Sequence, residues 1–154
     1  MTRTAMSICA TILGLGAALL SGPMLDAASA QGRSTSIAIG ETRAPGALGR
    51  VLREALRDEL DSVAGVRVTN ARRARYVLRG SITHIDERRE SGRMECEVSL
   101  VLADRRGGNI RLILEGRAAA RLPRRDEAVA RLRPELLRAA VRGALRPLGE
   151  QPLR

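Results

Sequence analysis

The chain has 154 residues, of which 27 are basic and 17 acidic, giving a formal net charge of +10. Arginine supplies all of that positive charge, and the sequence holds no lysine, phenylalanine or tryptophan and only one tyrosine. This length suits a single domain with a core of aliphatic side chains. The lack of aromatic rings disfavours a protein that stacks single-stranded nucleic acid on such rings.

The first thirty residues have the pattern of a cleaved secretory signal peptide. Residues 7–21 form an apolar stretch, and Ala28 and Ala30 are small side chains of the kind that a signal peptidase accepts before its cleavage point. We therefore predict a signal peptide over residues 1–30. The mature chain, residues 31–154, is then a periplasmic domain with no transmembrane span.

Two alternatives for this segment are an uncleaved membrane anchor and a lipoprotein signal. The apolar stretch has about 15 residues, fewer than the roughly 20 that a membrane-spanning helix needs. Cys9 lies inside the stretch with no small-residue lipobox at its end, which disfavours lipid attachment.

The first half of the mature chain alternates short strands with one helix. Residues 36–40 alternate apolar and polar side chains as a strand does, and Pro45-Gly46 is a turn signal that can open a helix. Apolar residues recur at three- and four-residue spacing over residues 47–63, which predicts a helix with one face in the core. Residues 66–69 follow as a short second strand.

Three longer strands joined by short polar loops predict an antiparallel meander. They cover residues 76–86, 95–103 and 110–122. On the last strand, alternation assigns five apolar residues to one face: Ile110, Leu112, Leu114, Ala118 and Ala120.

A closing helix is predicted from Asp126 to about Leu148, with a kink or a restart at Pro134 because proline removes one backbone donor. The element order is then β-α-β-β-β-β-α, with an apolar face on the sheet and an apolar stripe on each helix. A two-layer α+β sandwich buries all of these surfaces, with both helices on one face of a mostly antiparallel sheet of about five strands. The core then falls within about residues 36–148, and the other sheet face stays open.

The residues that usually carry catalysis are scarce. His84 is the only histidine, and we expect it either on the strand face of Ile82 and Leu78 or at a frayed strand end. Cys96 alternates with apolar neighbours such as Met94, so a buried thiol is favoured over a reactive one or an intermolecular bridge. No nucleophile elbow or set of metal ligands is present, so we predict no catalytic, cofactor-binding or metal-binding residue and no enzyme activity.

The stretch from Ala74 to Ile82 (ARYVLRGSI) resembles a strand found in small periplasmic α+β domains of the cell envelope. Such domains include the amino-terminal domain of TolB, the penicillin-binding-protein activator LpoB and the periplasmic domain of the curli secretion protein CsgG. The resemblance implies that Tyr76 enters the core and that a neighbouring element packs closely on Gly80. Arg75 departs from the pattern, which has Asp at this position.

These features favour a non-enzymatic periplasmic adaptor that docks an envelope protein. It would dock through the open sheet face or through the basic connector, residues 70–75 (NARRAR), between the second and third strands. The alternative is an electrostatic binder of anionic lipid headgroups or acidic envelope glycopolymers. Codon usage in a GC-rich genome is one explanation of the arginine bias, and selection for a positive surface is the other. In either case the positive charge attracts polyanions, and export disfavours nucleic acid as the partner. The predicted partner-binding residues are Arg72, Arg73, Arg75, Val77, Arg79, Val101 and Ile113.

Overall fold

The structure is a computed structural model that describes residues 34–150. These residues lie in the second of two compact units, Gln31–Arg154, and the predicted signal peptide with Ala28 and Ala30 falls outside them. Five strands and two helices follow one another in the predicted order. Their bounds are Thr35–Arg43 (β1), Leu48–Asp61 (α1), Val66–Val68 (β2), Tyr76–Arg88 (β3), Arg93–Asp104 (β4), Ile110–Arg121 (β5) and Asp126–Glu150 (α2).

The five strands form one sheet in the order β2-β1-β3-β4-β5. β1 runs parallel to both of its neighbours. α1 carries the chain back along the sheet before β2 begins, and residues 69–75 then cross to the other side of β1, where β3 starts in the same direction. β3, β4 and β5 form the predicted antiparallel meander through two short hairpins. The predicted α+β class and element order are therefore confirmed.

The core lies between the two helices and the inner face of the sheet. Tyr76 is 1% exposed, and Leu100 and Leu137 are completely buried. Gly80 lies under α1, where an added Cβ would be 3.0 Å from Cδ1 of Leu56 and 3.1 Å from Cδ2 of Leu100. Both packing features implied by the resemblance, the buried tyrosine and the close approach at Gly80, are confirmed.

α2 comes closest to the sheet at Gly116 of β5. A Cβ atom added there would lie 2.0 Å from the carbonyl oxygen of Ala140 and 2.8 Å from Cβ of Ala144. Only a glycine lets the helix backbone settle this near the strand. This contact fixes the distance between the two layers beside the β5 edge.

α2 is one continuous helix through Pro134 and Pro147, so the restart predicted at Pro134 does not occur. The N–H that Pro134 lacks would have bonded to the carbonyl of Ala130, and Ala130 is exposed. Water can therefore hydrate that carbonyl, which lowers the cost of the missing bond.

A shift of strand register moves His84 away from the face predicted for it. Ile82 pairs with Val98, but His84 pairs with Glu97, so one extra residue is accommodated between them. His84 is exposed and lies well inside β3. The prediction that it shares a face with Ile82 and Leu78, or sits at a frayed end, is wrong.

A second shift, at the start of β5, corrects the prediction for Ile110. Ile110 lies opposite Ala103, whereas Leu112 lies opposite Leu102 on the inner face. Ile110 is consequently 60% exposed. The other four residues predicted for this face do pack against the core: Leu112, Leu114, Ala118 and Ala120.

Candidate functional site

The outer face of the sheet carries a group of apolar side chains at the end where β3 begins. In one row across the strands, Val101 lies between Arg79 and Ile113. In the next row, Ala103 lies between Val77 and Ile110. We call the five apolar residues of these rows the outer patch: Val77, Val101, Ala103, Ile110 and Ile113.

Ile113 and Ile110 are the most exposed part of the outer patch. Ile113 is 61% exposed and Ile110 is 60% exposed. Among residues 34–150, these two are the exposed large hydrophobic side chains. Val77 and Val101 are half-buried by their neighbours, and Val77 lies over Gly40 of β1. The sequence predicted Val77, Val101 and Ile113 on this face but missed Ile110, because its exposure depends on the register shift.

Five arginines lie on two loops at the same end of the sheet. Three belong to the predicted basic connector between β2 and β3, and two belong to the hairpin between β4 and β5. They line a hollow of about 520 Å³ together with Ser36 and Asn109. We call these five residues the arginine cluster: Arg72, Arg73, Arg75, Arg105 and Arg106.

Hydrogen bonds from the backbone and side chains hold the two loops of the arginine cluster together. The N–H of Arg105 donates to the carbonyl of Arg75 at 3.0 Å, and Nε of Arg105 donates to the carbonyl of Ala74 at 3.0 Å. The N–H of Arg75 in turn donates to both the carbonyl and Oγ of Ser36, each at 3.0 Å. The main chain beneath the cluster is therefore fixed by three segments of the fold.

The arginine cluster has little negative charge to balance it. Asp104 is the one carboxylate lining the hollow, and Nη2 of Arg111 binds its Oδ2 at 2.7 Å. This pairing raises the pKa of Arg111, and the guanidinium of Arg111 neutralises the charge of Asp104. Within the described part of the chain, Arg72, Arg73 and Arg106 form no ion pair.

The rest of the outer face is polar and largely paired. Nε of Arg117 lies 3.2 Å from Oε1 of Glu97 on the adjacent strand. Nε of Arg88 lies 2.7 Å from Oδ2 of Asp86, and this hydrogen bond lowers the pKa of that carboxyl. The uncompensated charge and the exposed apolar surface thus lie together at one end of the sheet.

Cys96 and His84, the cysteine and the histidine among the described residues, lie on opposite faces of the sheet. Cys96 is completely buried on the inner face, where burial, followed by the charge of Glu97, raises the pKa of its thiol to about 11. His84 lies on the outer face, so the sheet separates the two side chains. The burial predicted for Cys96 is confirmed.

The described residues also bring together no group of three or more acidic, histidine or cysteine side chains that could hold a metal ion. Neither of the two described helices combines the length and the apolar composition that a membrane crossing requires.

Comparison with known proteins identifies a family. The family model described as LptE, lipopolysaccharide-assembly, matches residues 33–142, which cover all of the sheet and most of α2. Among curated proteins, no sequence is significantly similar to this chain.

Solved structures share the fold at low sequence identity. A PelC variant from Paraburkholderia phytofirmans, described as a dodecamer, is 17% identical with a TM-score of 0.57, covering 75% of this chain and 90% of that one. A protein from Xanthomonas campestris is 12% identical with a TM-score of 0.54, covering 70% of this chain and 79% of that one. These likenesses show the fold alone.

The family match covers most of the described domain and agrees with an envelope setting. The specific likeness to the TolB, LpoB and CsgG domains stays a prediction. The chain belongs to the LptE lipopolysaccharide-assembly family.

Proposed function

We propose that this protein is a non-enzymatic periplasmic adaptor that docks a cell-envelope protein through the outer patch. The observation that carries the proposal is the clustering of the exposed Ile110 and Ile113 on an open sheet face. Single exposed apolar residues are ordinary on protein surfaces, but two large ones in adjacent rows form a continuous patch. Such a patch suits the apolar centre of a modest interface.

The charges beside the outer patch suit an acidic partner. Arg79 shares a row with Val101 and Ile113, and the arginine cluster lies at the same end of the sheet. Positive charge at the rim of an interface speeds encounter with an acidic surface and fixes orientation more than it adds affinity. Family membership supports this reading, because LptE-family proteins interact with other envelope proteins.

The experiment is photocrosslinking in intact cells from a photoreactive residue at Ile113. We expect one envelope protein to be crosslinked, and we expect Val101→Asp to reduce its yield about tenfold by placing a charge in the apolar contact. Thr83→Asp is the control, because Thr83 is exposed on β3 outside the outer patch. Equal yields from the two variants would show that the docking surface lies elsewhere.

A second candidate function is electrostatic binding of anionic lipid headgroups or acidic glycopolymers by the arginine cluster. Arg105 and Arg106 lie beside the basic connector, and the one carboxylate that lines the hollow, Asp104, is already paired with Arg111. This concentration of unbalanced positive charge favours the binding of anions. Binding of this kind weakens steeply as salt rises.

Sedimentation with anionic vesicles and with sacculi tests this second function. We expect the triple variant Arg72→Glu, Arg73→Glu, Arg106→Glu to lose binding that the unmodified chain shows at low salt. The matched control makes the same change of net charge at the opposite end of the sheet, in Arg121, Arg124 and Arg125. If both variants lose binding equally, the overall charge rather than the cluster is responsible.

A further inference from the structure

The two edges of the sheet are protected very differently. Among the described strands, one edge is β2, which has three residues, and the other is β5, which has twelve and pairs with β4 alone. Edge strands expose unpaired N–H and C=O groups, and proteins usually shield them by shortness, proline, bulges or charge. Residues 112–120 of β5 contain no proline and keep an unbroken register with β4.

This segment of β5, LILEGRAAA, is complementary to a second copy of itself. An antiparallel pair centred on Gly116 would place Glu115 of each copy opposite Arg117 of the other. It would place Ile113 opposite Ala119 on the same outer face. On the inner face it would pair large with small apolar residues: Leu112 with Ala120 and Leu114 with Ala118.

Neighbouring registers are unfavourable. A slip by one residue would put inner-face side chains of one copy opposite outer-face side chains of the other. Moving the centre to residue 115 or to residue 117 would set Glu115 opposite Glu115, or Arg117 opposite Arg117, and like charges directly opposite destabilise a sheet. The pattern therefore selects the register centred on Gly116.

The side chains needed for this contact are accessible. Glu115 is exposed and forms no ion pair within the described part of the chain. Arg117 already contacts Glu97 at 3.2 Å, and 75% of its side chain stays exposed. Its guanidinium has further donors with which it could bind a second carboxylate from the facing copy.

We propose that two copies of this chain associate through antiparallel pairing of their β5 edges, which would join two five-stranded sheets into one of ten strands. The outer faces of both copies then lie side by side. Each Ile113–Ala119 contact extends one outer patch across the seam, and the two patches lie at opposite ends of the paired strands. The proposal does not rest on the adaptor function and can fail independently of it.

Charge reversal and rescue test the register. Sedimentation equilibrium of the mature chain should show a dimer. Glu115→Arg or Arg117→Glu alone should weaken the dimer about tenfold or more, because each sets like charges opposite one another twice in the symmetric pair. The double variant exchanges the two charges and should restore dimerisation. A monomeric unmodified chain, or single variants as dimeric as it is, would overturn the proposal.

Disulfide trapping gives a second measurement that does not depend on charge. In a Cys96→Ala background, Ile113→Cys with Ala119→Cys places thiols on directly opposite residues, near enough for an intermolecular disulfide. The control, Ile113→Cys with Glu115→Cys, sets no cysteine opposite another in this register. Covalent dimer from the first pair and not from the second supports the proposed register, and equal yields from both would overturn it.

Discussion

The two faces of the sheet are built from the same strands but differ in what covers them. On the inner face α1 and α2 leave Leu100 and Leu102 with no exposed surface. On the outer face no described element covers their neighbour Val101, and Ile113 in the same row is 61% exposed. A change of one residue along β4 thus moves a side chain from the core to the candidate docking surface. Substitutions on the inner face should alter folding, and those on the outer face should alter association.

The largest effect is expected where the inner face meets α2 most closely. Gly116→Val should destabilise the fold by about 4 kcal/mol or prevent folding, because α2 must move away from a Cβ placed 2.0 Å from the Ala140 carbonyl oxygen. Urea unfolding followed by circular dichroism measures the change in the free energy of unfolding.

Gly143→Ala provides the matched control for that substitution. Gly143 lies in α2 with no atom of another element within 4 Å of an added Cβ, so alanine there should stabilise the helix by about 0.5 to 1 kcal/mol. Similar losses of stability in both variants would contradict the view that the close approach at Gly116 is special.

The next largest effect is a difference in stability between alanine substitutions at two adjacent residues of β4. Leu100→Ala removes a completely buried side chain and should cost about 3 kcal/mol, the transfer energy plus the cavity left behind. Val101→Ala removes a half-buried side chain facing outward and should cost under about 1 kcal/mol. The measurement is the difference in unfolding free energy between the two variants, and a difference near zero would mean that the outer face is covered as the inner one is.

The strand alternation in the sequence was enough to assign most side chains to the correct face. Cys96 and Val101 both fall where a period of two puts them. Alternation failed for His84 and Ile110, because one extra residue in a strand reverses the faces and leaves no mark in the residue pattern. Such a shift depends on how the neighbouring strand pairs.

Other parts of the candidate site needed the tertiary fold. Arg105 and Arg106 join the basic connector only when the meander brings the β4–β5 hairpin beside it. Gly116 carried a usable signal, since a glycine inside a strand pattern indicates a close backbone approach. The element that makes that approach, α2, could not be identified from spacing alone.

The smallest expected effect is a pH dependence of stability, which tests how well the inner face excludes water from one ionisable side chain. Cys96 on the inner face has a thiol pKa raised from 9.0 to about 11, chiefly by burial. Below pH 9 the thiol is protonated in both the folded and unfolded states and contributes no pH dependence. Above pH 9 the unfolded thiol ionises while the folded one does not, so the free energy of unfolding should fall with a slope of up to about 1.4 kcal/mol per pH unit until pH 11.

Cys96→Ala isolates this contribution because the variant keeps every other titrating group. The unmodified chain should lose about 1 kcal/mol more stability than the variant between pH 8 and pH 10. Parallel curves for the two proteins would mean that the folded thiol ionises as readily as the unfolded one. In that case water reaches Cys96 through the inner layer, and the inner face is no better sealed than the outer one.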